Sequence, residues 1–221
     1  MRWLSVFRRR DLLKKRHVYL DHQKQLPGFD KGDLRQAPRL LTNTPKNTSS
    51  QKKILIAPDS LHWKKRWPIT YWEKLLYMIL SHKDLHHCTI VGDNNVFPQD
   101  FIEALKDFAP ERVENLLGKT RVEQLADVAN SHDVTVCGNS AWLHISEAVG
   151  TPVVTLAGPI VEGFGFSPWM EKSRELSIDL SCRPCSKHGQ GMCLLRGEDF
   201  HSCMRKIEPE KVFMNMEKVL Y

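Results

Sequence analysis

The sequence predicts an α/β protein with a doubly wound parallel sheet, and three observations carry that prediction. Short apolar runs alternate with amphipathic segments from residue 53 onward. The apolar runs end in polar or glycine-containing turns such as Gly92-Asp93-Asn94-Asn95 and Gly138-Asn139-Ser140. Val134 to Pro159 (VTVCGNSAWLHISEAVGTPVVTLAGP) reads as one complete strand–turn–helix–turn–strand unit. Strands that alternate with helices make parallel sheets with helices on both faces, and such units are almost always right-handed.

Taken in order, Lys53 to Pro58 (KILIAP) reads as a buried strand, followed by a polar loop, Asp59 to Pro68. Thr70 and Glu73 have the spacing of a capping box opening a helix that runs to about His82. Thr89 to Gly92 is a second strand, Asp100 to Phe108 a helix, and Val113 to Leu116 a short strand. Thr120 and Glu123 repeat the capping-box spacing before a helix ending near Asn130. The Val134–Pro159 unit follows, then a short edge strand at Leu176 to Ile178. Pro209 opens a terminal helix at the position where its missing N–H costs nothing.

Parallel strands place the turns after them at one edge of the sheet, where open α/β sheets take their ligands. Asn139 and Ser140 stand where a helix begins, and the free N–H groups and dipole there favour an anion. His144 lies one turn further on, and Gly158 ends the next strand. Ser140 is also a good helix cap, which needs no ligand to explain it. The loop after the first strand brings Ser60 and three consecutive cations, Lys64, Lys65 and Arg66, to the same edge. Neither GxxxxGK[ST] nor GxGxxG occurs, so a P-loop and a dinucleotide fingerprint are excluded.

The chain has 221 residues, 41% of them hydrophobic, and a formal charge of +6. The charge is uneven: residues 1–53 carry 14 basic and 4 acidic side chains, and the remainder 18 and 22. Met1 to Leu20 interleaves Trp3, Leu4, Phe7, Leu12 and Leu13 with arginine and lysine. It reads as a basic amphipathic helix that either lies on an anionic membrane surface or packs on its own domain. Gln25 to Lys52, broken by Pro27, Gly28, Gly32, Pro38 and Pro45, reads as a linker. The expected division is an arm and linker at 1–52 and a folded domain at 53–221. No apolar run approaches the ~20 residues of a spanning helix. Met1 to Phe7 runs straight into Arg8-Arg9-Arg10 without the plan of a secretory signal, so the cytoplasm is the expected location.

Reduced thiols are the expectation there. Cys182, Cys185, Cys193 and Cys203 have the form C-x2-C-x7-C-x9-C. Four cysteines can close a tetrahedral zinc site, although the second pair lacks CxxC spacing, and a set of plain thiols in an irregular loop reads the sequence as well. A basic arm with a cysteine knuckle is also the outline of a nucleic-acid-binding module. Against that, the folded part is net acidic and no aromatic-rich RNA motif occurs.

KILIAP, KKRWP, VGD and NLLGKTRVEQLADVANSHDVTVCGNSAWLHISEAVGTPVVTLAGP, in that order, resemble the C-terminal half of the glycosyltransferase family 9 proteins, the lipopolysaccharide heptosyltransferases and their relatives, over roughly residues 53–220. The resemblance implies a Rossmann-like C-terminal domain of a GT-B fold that binds a nucleotide-diphosphate sugar such as ADP-heptose. It implies an inverting transfer that needs no metal, onto a glycolipid acceptor at the cytosolic face of the inner membrane. It assigns Ser60, Lys64 and Lys65 to the diphosphate, Asn94 or Asn95 to the neighbourhood of the ribose, and Asn139, Ser140, His144 and Gly158 to the phosphate and sugar end. The family's Asp-Thr/Ser-Gly is here Asn139-Ser140-Ala141, which removes a charge and adds a methyl where the backbone approaches the ligand. The acceptor site and general base belong to the family's N-terminal half. The resemblance therefore implies a chain that binds donor and transfers only with that half, from a partner chain or a longer protein, or else an inactive remnant.

Overall fold

The computed structural model describes residues 38–221 apart from Lys83 and Leu85. The expected amphipathic arm, Met1 to Leu20, lies outside the described residues. Six strands form one sheet: β1 (Lys53–Ala57), β2 (His87–Ile90), β3 (Val113–Asn115), β4 (Val134–Gly138), β5 (Val153–Leu156) and β6 (Arg174–Leu176). All neighbours are parallel, in the order β3-β2-β1-β4-β5-β6. This is the strand order of a doubly wound dinucleotide-type sheet. The chain winds outward from β1 in one direction, then returns to place β4 on its other side. The crevice between the loops after β1 and β4 is the switch point where such folds bind ligands.

The helices are α1 (Ile69–Ser81), α2 (Gln99–Phe108), α3 (Leu125–Asn130), α4 (Ala141–Ala148), α5 (Ser202–Arg205) and α6 (Pro209–Leu220). Alternation along β1 sends Ile54 and Ile56 to one face, and there they pack with Trp72, Leu76, Ile79, Val212 and Met216 of α1 and α6. Leu55 and Ala57 go to the other face, with Ala129 of α3 and Leu143 of α4. Covering both faces explains why β1 and β4 read as nearly unbroken apolar runs.

The helix starts differ from the expected capping boxes. Pro68 caps α1, and its carbonyl accepts the Tyr71 and Trp72 N–H groups at 3.0 and 3.3 Å, so Thr70 falls inside the first turn. The second helix is split: a 3-10 turn at Val122–Gln124 precedes α3. There the Arg121 N–H donates to Gln124 Oε1 at 3.0 Å, which moves the box one residue along. The edge strand β6 also lies two residues earlier than expected, because Val154 to Leu156 pair with Arg174 to Leu176.

Residues 38–52, read from sequence as part of a linker, are hydrogen-bonded to the domain. The Leu40 N–H donates to Ala148 O, the Thr44 hydroxyl to Asp127 O, Lys46 Nζ to the Thr151 hydroxyl and Asn47 Nδ2 to Asp133 Oδ2.

Glu147 ties α4 to the chain leaving β5. Its buried carboxylate accepts the Trp169 and Met170 N–H groups and the Ser173 hydroxyl, at 2.7–3.1 Å. Burial raises its pKa, and these three donors oppose the rise. Glu147→Gln turns a donor toward donors. It is expected to destabilise the fold by about 1.5–3 kcal/mol, the worth of hydrogen bonds to a charged group. Urea unfolding would show this as a lower midpoint at unchanged slope.

Candidate functional site

The loops after β1, β2 and β4 enclose a cleft of about 650 Å³ at the carboxyl edge of the sheet. Asp59, Ser60, His62 and Lys65 come from the first loop, Gly92 and Asp93 from the second, and Asn139, Ser140, Trp142 and His144 from the turn into α4. Thr120, Leu125 and Phe166 complete the wall.

Lys65 is the central cation. Its Nζ donates to the carbonyl of Asn139 at 3.2 Å and to the side-chain Oδ1 at 3.0 Å. Asn139 is almost fully buried, and its Nδ2 donates to Phe166 O at 2.9 Å, which fixes Oδ1 toward the lysine. The approach is close: a Cβ on Gly138 would stand 3.3 Å from Lys65 O. Burial lowers the Lys65 pKa from 10.5 to about 8. Beside it, Ser140 is the N-cap residue of α4 but makes no capping bond, and its Oγ is buried without a partner. A cation held on Asn139 thus adjoins the turn where α4 begins, with its first N–H groups and the unpaired Ser140 hydroxyl, and that combination suits an anion.

Of the residues expected in the site, Ser60, Lys65, Asn139, Ser140 and His144 line the cleft. Lys64, Asn94, Asn95 and Gly158 do not. Lys64 turns the other way, is buried, and donates to Met192 O at 3.2 Å. Adjacent residues of the 3-10 turn Trp63–Lys65 cannot share one direction. Asn94 and Asn95 line a hollow with Phe97, Pro98 and Gln99, and Asn95 also lines a neighbouring one with Asp59 and Asp93, while Gly92 and Asp93 are the residues of this turn that line the cleft. Gly158 makes room for packing: a Cβ there would stand 2.5 Å from the Met204 sulfur and 3.1 Å from Lys64 O.

The segment holding the four cysteines folds over the back of the cation loop, a feature with no periodic signal in the sequence. His201 Nε2 donates to Lys64 O at 2.9 Å, and the Trp63 and Phe200 rings stack at 5.7 Å. Gly189, at φ +91°, lies so close that a Cβ would meet the Lys65 stem at 2.9 Å. The thiols are near enough to affect one another: Cys203 is pushed up to about 12, first by burial and then by Cys185, with Arg183 opposing. Two of the four also have polar contacts of their own. Cys185 Sγ faces Lys64 Nζ at 3.8 Å and Cys193 Sγ accepts the His201 N–H at 3.4 Å. Among the described residues the one group of three placed to hold a metal is His82, His86 and Glu217.

The family model of glycosyltransferase family 9 (heptosyltransferase) matches residues 4–194. The chain is 28% identical over 193 residues to lipooligosaccharide heptosyltransferase 2 of Campylobacter jejuni serotype O:6, covering 85% of this chain and 58% of that protein. It is 29% identical over 97 residues to the protein of the same name in Haemophilus influenzae. The chain spans little more than half the length of the Campylobacter relatives it matches. Among solved structures, the E. coli ADP-heptose LPS heptosyltransferase II superposes with a TM-score of 0.60 at 21% identity, over 78% of this chain and 47% of that one. TibC, an iron-containing dodecameric glycosyltransferase from enterotoxigenic E. coli, superposes with a TM-score of 0.62 at 18% identity, over 87% and 53%. At these identities the likeness is one of fold. No helix among the described residues is long and apolar enough to cross a membrane.

The Lys65 geometry has a direct consequence. Its ammonium is lost as pH rises through about 8, well before that of an exposed lysine. NMR of the protein with 13C-labelled lysine side chains should show one Cε resonance titrating near pH 8, absent from Lys65→Met.

Proposed function

We propose that this chain, which belongs to glycosyltransferase family 9, binds the diphosphate of a nucleotide sugar of the ADP-heptose type in the cleft between the β1 and β4 loops. One observation carries the reading: Lys65 is held by Asn139, the residue next to Ser140, whose hydroxyl is unpartnered at the start of α4. A diphosphate would receive a charge-assisted bond from Lys65, a hydrogen bond from Ser140 and the free N–H groups of the helix. Ser60, Asp59 and Asp93 also line the cleft, and in this reading Asp93 would accept ribose hydroxyls. Trp142 and Phe166 give apolar wall, and exposed His144, which also lines the cleft, would face the sugar end. Family membership favours this reading over a nucleic-acid module.

Transfer in this reading inverts the anomeric centre and uses no metal. The protein's own part is to bind the donor and stabilise the leaving diphosphate, whose negative charge grows as the glycosidic bond breaks. The binding site for the acceptor glycolipid and the general base come from an N-terminal domain of the kind that completes the longer relatives, in a partner chain or a longer protein. The exposed side chains of Leu61, Trp63, Met192, Leu194 and Phe200, on or against the β1 loop, support a docking face for it. A cytoplasmic site, with the basic arm at the inner membrane, fits a lipid-linked acceptor. One metal ion on Cys182, Cys185, Cys193 and Cys203 would be structural and would require the Cys185 and Cys193 sulfurs to leave Lys64 and His201.

Titration calorimetry tests the reading. ADP is expected to bind and UDP to bind more weakly, with Lys65→Ala costing about tenfold or more in ADP affinity, the scale of a lost charged hydrogen bond. Above pH 8 binding should take up a proton, because the anion returns Lys65 to its ammonium form. Absence of ADP binding would leave the remnant reading standing, and heptosyl transfer by this chain alone would overturn the need for a second domain.

A further inference from the structure

We propose that His82, His86 and Glu217 form a binding site for a divalent transition-metal ion of the zinc class, at the amino edge of the sheet and apart from the donor cleft. His82 caps the C-terminal end of α1, His86 immediately precedes β2, and Glu217 lies on the last turns of α6. The two imidazoles stack with centroids 5.1 Å apart and planes 6° from parallel. Both present Nε2 to one carboxylate: His86 Nε2 is 3.3 Å from Glu217 Oε1 and His82 Nε2 is 3.7 Å from Glu217 Oε2. One ligand atom from each of the three lies within 4.8 Å of the others. Ligands at about 2.0–2.1 Å from a tetrahedral zinc are themselves ~3.4 Å apart, so two of the three separations are already near the required length.

The surroundings suit a metal as well as the distances do. His86 is fully buried and its Nε2 faces the Glu217 carboxylate. Its Nδ1 has no partner, so the ring makes its polar contact through Nε2 alone. His82 Nδ1 stands 3.6 Å from Asp84 Oδ2, and Asp84 in turn accepts the Tyr221 hydroxyl at 3.1 Å. His82 Nδ1 also accepts the Asp84 N–H at 3.4 Å, which holds the ring in place with Nε2 toward Glu217. Three protein ligands leave one position for water. The ion would clamp α6 to α1 and β2 across 131 residues of sequence, where two stacked rings and one carboxylate now hold them.

Cobalt and zinc titrations of the full chain decide the matter, because the two sets of candidate ligands differ spectroscopically. A site of histidine and carboxylate gives Co2+ only visible ligand-field bands, whereas cysteine adds a thiolate charge-transfer band in the near ultraviolet. The expected result is about one equivalent of Co2+ bound without the thiolate band and displaced by Zn2+. His82→Asn and Glu217→Gln, at partly exposed positions, should each weaken that equivalent by at least the ~10–100-fold that even outer metal partners cost. Melting temperature should rise with Zn2+ in the wild type and not in either variant. The proposal is overturned if the wild-type chain binds neither ion, if all bound Co2+ carries the thiolate band, or if both folded variants bind as the wild type does. The wild-type spectrum decides even where a variant does not fold.

Discussion

The hydrogen bonds from Lys65 to Asn139 are the contact on which the rest of the cleft depends. They cross the switch point of the sheet and join the loop after β1 to the turn after β4. Without them two loops would face each other over open water. With them, a cation is held against the start of a helix at a cost visible in its lowered pKa. Burial of a charge that is only hydrogen-bonded, with no carboxylate to neutralise it, is unfavourable. An incoming anion would remove that cost, which is how a binding site stores selectivity before its ligand arrives.

The supporting structure behind this contact is unusually irregular for an α/β domain. Lys64 is drawn backward to Met192, His201 holds the Lys64 carbonyl, and the Trp63 ring lies on Phe200. Arg66 reaches back to Ser60 O at 2.7 Å, and Trp67 Nε1 donates to Ile207 O at 2.8 Å. Each residue of the cation run is therefore assigned a different partner, and only Lys65 is left for the cleft. The cysteine-bearing segment is a brace for that loop whether or not its thiols take a metal.

The two edges of the sheet divide the labour. At the carboxyl edge, unpaired groups and short loops leave room for a ligand. At the amino edge, His82, His86, Asp84, Glu217 and Tyr221 form a tight polar knot that fastens the last helix to the first. The distance between them follows from the parallel topology, which sends every helix from one edge back to the other.

The sequence by itself determined the sheet, the order of helices and strands, and the edge where the cleft opens. Those depend on apolar periodicity and turn residues, which are local signals. The order of elements along the chain likewise brings Lys65, Asn139, Ser140 and His144 to that edge, in the loop after β1, the turn after β4 and the first turn of α4. Tertiary structure alone decided which of three adjacent cations enters the cleft, that Asp93 rather than Asn94 or Asn95 does so, and that Gly158 serves the Met204 contact. It likewise brought Glu217 to His82 and His86, across 131 residues that no spacing rule spans. Side-chain direction in an irregular loop, and contact between residues over a hundred positions apart, are set by packing against the whole domain. A pattern read along the chain carries no record of them.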